Sequence, residues 1–345
     1  MVDPRNARGI RHRLVVLLTV AVCTVSTGAR SFVAVAEWVA DLPATPADTL
    51  GTGGRCPSES TIRRAVGAMD ADAFDAVIGG LVQQLCAAVA PAGRRRVLAV
   101  DGKTLRGSRH IDRDGNVVVG RHLLAVIDQH TRVVLGQLDV AGKTSEITAF
   151  TPLLDTLTSI DLAETVITAD ALHTQREHVA DLHARGAHWV LSVKGNQPRL
   201  RRQLAARPWR QVEISHRAVA TAHGRREIRT CKIVTIAAGI EFPHAAQAVQ
   251  IIRKSRPISA RTGKKSRWRT ETRTGAAPQV MATLRNLAIS LHRLAGAHQH
   301  RRRATTSRPR RPPTTPTTQH HLTLPTPWVG HGAADQASDH LSPLL

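Results

Sequence analysis

The strongest constraint on the fold lies between residues 97 and 193, where short apolar runs alternate with helical stretches and two of the runs end on an aspartate. Val97-Leu98-Ala99-Val100 leads into Asp101, and Thr165-Val166-Ile167-Thr168-Ala169 leads into Asp170. Strands alternating with helices point to an α/β unit. A side chain at the carboxyl end of such a strand projects into the crevice at the sheet edge. Acids are scarce here, 26 against 48 lysines and arginines. Two carboxylates held on strand ends therefore suit a hard divalent cation.

The rest of the segment fills in around them. A turn-rich stretch from Gly107 to Gly115 precedes Asn116-Val117-Val118-Val119, then His122 to Ile127 and Val133 to Leu138, which read as an antiparallel meander. Glu146 to Leu157 reads as a helix capped near Thr144 or Ser145. After Asp170 comes a helix from Thr174 to Arg185, then a strand from His188 to Val193. Lys194-Gly195-Asn196-Gln197 and a further helix follow. Three strands, helix, strand, helix, strand, helix is the layout of a ribonuclease-H-like mixed sheet core.

Residues 1–90 read as a helical N-terminal domain. The run Leu14 to Val22 follows Arg11-His12-Arg13, so it fits either a secretory leader or a buried helix. It is too short to span a bilayer. Ser31 to Val39 continues as helix with Phe32, Val35, Ala36 and Val39 on one face. Ser58 can cap a helix that carries Arg63 and Arg64 on an early turn. That placement suits a helix approaching DNA phosphates, and equally a solvated basic helix. Asp70 to Val89 gives another helix, its apolar stripe formed by Phe74, Val77, Ile78, Leu81 and Leu85. Residues 91–96 are a linker into a domain spanning 97–294. Within it, 211–272 is a β-rich insertion and Pro278 opens a helix with Val280, Leu284, Leu287 and Leu291 on one face. The Thr-, Pro- and His-rich stretch 297–345 has no periodicity and reads as a disordered tail.

A formal net charge of +22 is a statement about partners. Nucleic acid is the first expectation and an acidic membrane surface the second. Arginine far outnumbers lysine, so a GC-rich genome explains part of the excess, though not the scarcity of acids. Cys23, Cys56, Cys86 and Cys231 form no Cys-x-x-Cys pair and fit reduced thiols in the cytosol. Tyrosine is absent, which counts against a base-stacking RNA module. Asp128 and Asp139 read as turn residues. His173, His178, His183 and His188 recur every fifth residue, a spacing that matches neither a helix face nor a strand face.

These motifs carry a resemblance. Val100-Asp101-Gly102-Lys103-Thr104-Leu105-Arg106-Gly107-Ser108 resembles the first catalytic motif of the H-repeat-associated DDE transposases of bacterial insertion sequences, and Thr168-Ala169-Asp170-Ala171-Leu172-His173-Thr174-Gln175 resembles the second. Lys194-Gly195-Asn196-Gln197, Pro57 to Arg64, His223 to Glu227 and Met281 to Ala288 are also similar, so the likeness runs from about Asp3 to Gly296. The resemblance implies a metal-dependent transposase that cuts and joins double-stranded DNA at terminal inverted repeats, as a homo-oligomer on DNA. It would work in the bacterial cytoplasm, nucleoid-associated when bound, with no membrane partner. Asp101 and Asp170 are then the catalytic and metal-binding acids for Mg²⁺, with Mn²⁺ as a substitute. Lys103 and Arg106 would neutralise phosphate, and Lys194 and Asn196 would position the DNA strand.

One departure stands out. The family's third acid, a glutamate on a helix after the β-rich insertion, should fall between Thr272 and Arg273, where the two flanking stretches abut. The helix from Pro278 to Leu294 contains no Asp or Glu. Glu227 and Glu271 remain as substitutes in strand-like contexts. The tail after Gly296 also departs from the family and resembles a shifted reading frame. The expectation is a transposase by descent with impaired strand transfer. Its alternatives are a non-catalytic DNA-binding remnant that holds element ends, and an exported basic protein.

Overall fold

The computed structural model describes residues 2–52, 54–89, 93–105, 108–111, 115–140, 146–222, 225–257 and 276–295. Arg106, Glu271, the expected cap at Thr144 or Ser145, and the tail after residue 296 lie outside them.

Helices α1 (Leu14–Ser26), α2 (Phe32–Ala40), α3 (Ala44–Thr49), α4 (Glu59–Gly67) and α5 (Ala71–Ala87) form the N-terminal region. The apolar run after Arg13 is α1, and its Leu17, Val20 and Ala21 are buried in a core shared with α2 and α4. No helix of the described residues is long and apolar enough to cross a membrane. Caps start the helices where the sequence places them: Ser31 Oγ accepts from Ala34 N–H, Ser58 Oγ from Thr61 N–H, and Asp70 from Asp72 and Ala73 N–H. The stripe expected on α5 is a correction. Phe74 is buried, but Val77, Leu81 and Leu85 are exposed, and Gly79, Val82, Gln83 and Cys86 face inward instead. Close packing sets this rotation. A Cβ on Gly79 would lie 3.1 Å from Leu135 O, and Gln83 Nε2 donates to Leu135 O at 3.0 Å and Thr156 O at 2.9 Å.

Strands β1 (Val97–Thr104), β4 (His122–Asp128), β5 (Val133–Val140), β6 (Val166–Ala169) and β7 (His188–Leu191) form one mixed sheet in the order β5-β4-β1-β6-β7. β1, β6 and β7 are parallel, and β4 and β5 run antiparallel. This is the ribonuclease-H-like arrangement expected from the element order. Val117–Val118 (β3) is a correction: it pairs with His110–Ile111 (β2) in a separate hairpin and leaves the meander to β4 and β5. The connecting helices are α6 (Glu146–Asp155), α7 (Arg176–Ala184) and α8 (Pro198–Ala205). The β-rich insertion is a three-stranded antiparallel sheet of β8 (His216–Ala222), β9 (Arg225–Thr235) and β10 (Gln247–Pro257).

Helix α9 (Ala277–Leu294) ties the units together. Val280, Met281, Leu284 and Ala288 belong to the helical core, and Leu287 to the sheet core under α6. On the opposite sheet face, Ala282 packs on Leu105 and Leu123, and Ile289 on Ala125, Ile127 and Val134. Of the stripe expected on α9, Leu291 alone is exposed.

Candidate active site

Val100 and Ala169 are the last register partners of the parallel strands β1 and β6, and the next residue along each segment is an aspartate, Asp101 within β1 and Asp170 just past the end of β6. Register neighbours on parallel strands point to the same face, on strands roughly 4.8 Å apart. Asp101 is not at a strand end, as the sequence suggested. β1 continues to Thr104 because β4 keeps pairing with it, Asp101 opposite Ala125, after β6 has stopped. Both aspartates line a groove of 1420 Å³ that also takes in Thr168, Lys194 and, from the three-stranded sheet, Ile251 and Arg253. α9 roofs the β4–β5 half of this face, next to the groove.

The two carboxylates are held differently. Lys103, two residues along β1 and so on the same face, places Nζ 3.0 Å from Asp101 Oδ2. Asp170 is exposed, and its Oδ1 accepts from Leu172 N–H at 2.9 Å, capping the short turn Ala171–His173. That turn is stitched to the segment after β7. Asn196 Nδ2 donates to Ala171 O at 2.6 Å, Gln197 Nε2 to Thr174 O at 2.8 Å, and Thr174 Oγ1 to Ser192 O at 2.7 Å. Asn196 therefore spends its amide donor on the Asp170 turn.

Behind the aspartates, on the other sheet face, lies a buried polar cluster that sequence reading missed. Glu146, at the start of α6, has Oε1 2.6 Å from His122 Nε2 and Oε2 3.5 Å from His173 Nε2. His122 Nδ1 lies 2.9 Å from Thr104 Oγ1. All three of Glu146, His122 and His173 are buried. Burial pushes the Glu146 carboxyl up, His173 and His122 pull it down, and the pull wins, leaving it below the ordinary glutamate range. A Cβ on Gly102 would sit 2.5 Å from Glu146 Oε1. The available signal was Gly102 itself, since a glycine inside a strand marks a close approach. Phe150 stacks on His178 with centroids 4.2 Å apart, and burial lowers the His178 imidazole below its usual range.

The other candidates sit apart from the pair. Arg63 is exposed and bonds Glu59 at 3.0 Å, and Arg64 Nε donates to Ser60 O at 3.1 Å, both on α4. Glu227, on β9, is bonded by Arg229 and Arg253. Asp128 is buried against Arg96 and caps its turn through His130 and Thr131 N–H. Asp139 pairs with Arg121, and His183 stacks on His244. Among the described residues, no group of three or more His, Cys, Asp or Glu side chains is placed to hold a metal.

Residues 92–289 match the family model described as "Transposase DDE domain", and residues 1–82 match the one described as "DDE_Tnp_1-associated". "Putative transposase YncI" of Escherichia coli O157:H7 is 29% identical over 238 residues, covering 66% of this chain and 57% of that protein. "H repeat-associated putative transposase YbfD" of Escherichia coli K12 is 27% identical over 237 residues, covering 66% of this chain and 88% of that protein. The "Uncharacterized protein in dhlA 3'region" of Xanthobacter autotrophicus is 32% identical over 241 residues, covering 66% of this chain and 75% of that protein. The chain thus spans between just over half and most of the length of the relatives it matches.

Proposed function

Since this chain belongs to the DDE transposase family, we propose that it is the transposase of an insertion sequence, with Asp101 and Asp170 as its metal-binding catalytic acids and with strand transfer impaired. The observation that carries this reading is that Asp101 and Asp170 each follow the last register pair of β1 and β6 and line one groove. Two hard carboxylates suit Mg²⁺ or Mn²⁺, because Mg²⁺ is commonly held by one or two carboxylates, with water and substrate phosphate completing its shell. A divalent cation held there would supply charge neutralisation at a phosphoryl centre.

The chain's own residues do the rest. Lys103 supplies positive charge beside Asp101, where a phosphate would approach, and Lys194 supplies it along the groove. Arg106 joins them by its motif. Asn196 holds the Asp170 turn and so orients that carboxylate. Arg63 and Arg64, exposed on α4, contact backbone phosphates of the terminal repeats. Residues 1–90 hold the element ends, residues 97–294 carry the chemistry, and copies pair on double-stranded DNA in the cytoplasm, on the nucleoid.

The impairment follows from the third acid. Glu227 is neutralised by two arginines, and no third ligand joins the aspartates among the described residues. A displacement of about 1 Å in a reacting group costs on the order of a hundredfold in rate. The same observation favours the second reading, a remnant that binds element ends without cutting them. The test incubates the protein with linear duplex carrying the element's ends and Mg²⁺ or Mn²⁺. Binding with only trace cleavage is expected. Metal-dependent nicking that vanishes in Asp101→Ala would overturn the impairment, and absence of DNA binding at low salt would overturn the whole reading.

A further inference from the structure

We infer that one face of the β8–β10 sheet, the face carrying Arg217, Arg226, Lys232 and Lys254, is a cationic surface that grips the phosphate backbone of duplex DNA. The pleat sorts charge between the two faces. Register puts Arg229 opposite Arg253 and Cys231 opposite Ile251 on one face, while β10, the edge strand, meets the groove from both faces, Ile251 and Arg253 from this one and Ala248 and Gln250 from the other. That face also carries Glu227, the one acid in the three strands, bonded to Arg229 and Arg253.

The alternate residues point the other way. They include Arg217 on β8, Arg226 and Lys232 on β9, and Lys254 on β10, and no acid. Arg217, Arg226 and Lys254 are exposed, and none pairs with a carboxylate among the described residues. Lys232 donates to the neutral Trp209 carbonyl at 2.6 Å and keeps its charge.

The spacing suits an extended polyanion. Arg217 faces Thr230, diagonal to Lys232, and Lys254 is diagonal to Arg226, distances of about 7–8 Å. The six residue steps from Arg226 to Lys232 span roughly 20 Å of strand, the length of about six nucleotides at 3.4 Å each. Four cations along a twisted ribbon, with no paired carboxylate among the described residues, are stable against a partner that brings its own line of negative charge. None of these four cations lines the Asp101–Asp170 groove, so they add a second contact to DNA. The inference rests on the proposed function for its choice of DNA as the polyanion.

The test measures binding of the full chain to a labelled linear duplex by fluorescence anisotropy across a salt series. It compares the wild type with the triple variant Arg217→Ala, Arg226→Ala, Lys254→Ala, and with the charge-keeping triple Arg217→Lys, Arg226→Lys, Lys254→Arg. Each phosphate contact adds about 0.9 to the slope of log affinity against log salt for duplex DNA, so the alanine triple should flatten it by about 2.7. Affinity at low salt should fall about tenfold or more, while the charge-keeping triple behaves as wild type. An alanine triple with the wild-type slope, or a charge-keeping triple that fails alongside it, would overturn the surface. A wild-type chain that does not bind DNA at all would instead remove the reading on which the surface depends. Matching thermal melts keep folding out of the comparison, and each single alanine variant should lower the slope by about 0.9.

Discussion

Gly102 has no room for a side chain, and its neighbour in the sequence is Asp101. A Cβ there would meet the Glu146 carboxylate at 2.5 Å, so either the strand or the buried cluster would have to move. Gly102→Ala should cost about 1–3 kcal/mol in urea unfolding. The same variant should weaken Mn²⁺ binding, because a shift of β1 carries Asp101 with it. Asp75 on α5 makes a second, independent prediction. Burial pushes its carboxyl up to about 6, against hydrogen bonds from Thr283, Gln279 and Gln137 that pull it down. The folded state therefore binds this proton more tightly than the unfolded chain does. Stability from this group is full below pH 4 and is lost as pH rises through about 6, on the order of 3 kcal/mol. Asp75→Asn should remove that slope between pH 4 and 6 in urea melts. Glu146 acts in the opposite sense. Its carboxyl is lowered in the fold, so its contribution is present above the ordinary value of 4.5 and fades as pH falls through the lower folded one.

At the scale of elements, α5 and α9 each pack in both cores. Phe74 of α5 belongs to the helical core, and Val82 and Cys86 to the sheet core; Leu284 and Leu287 of α9 divide in the same way. A polar seam joins them: Gln137 on β5 donates to Asp75 at 3.0 Å and to Thr283 at 2.9 Å, and Asn286 donates to Gln137 at 2.9 Å. Leu284→Ala should cost about 2–5 kcal/mol and lower the stability of the whole chain in one step. Trp38 packs on the helical core and Trp189 on the sheet core, so fluorescence of single-tryptophan variants should report coincident transitions. Two separate transitions would show that α9 does not couple the units. The strand and helix order was legible because each element carries its own period and cap. The facing of α5 was not, because Gly79 and Gln83 are turned inward by contacts to β5 and the end of α6 that local pattern does not contain. The same limit hid Glu146, whose partners His122 and His173 come from two other elements, and it misplaced the end of β1, which its neighbour β4 sets.

For the molecule as a whole, the sequence pointed to the two aspartates and to a polyanion as partner, and the fold supplied the adjacency of the aspartates. A net charge of +22 favours polyanions in general, and on the proposed reading the aspartates brought together by β1 and β6 give that attraction a chemical centre. The groove beside it runs between the mixed sheet and β10, and among the described residues that line it Asp101 and Asp170 are the two carboxylates, with no third one. Such a centre should bind a hard cation weakly and depend on both acids equally. Isothermal titration of the full chain with Mn²⁺ tests this directly. Saturable binding that disappears in Asp101→Ala and in Asp170→Ala, and persists in Glu227→Gln, is the predicted result; binding unchanged by loss of either aspartate would contradict it.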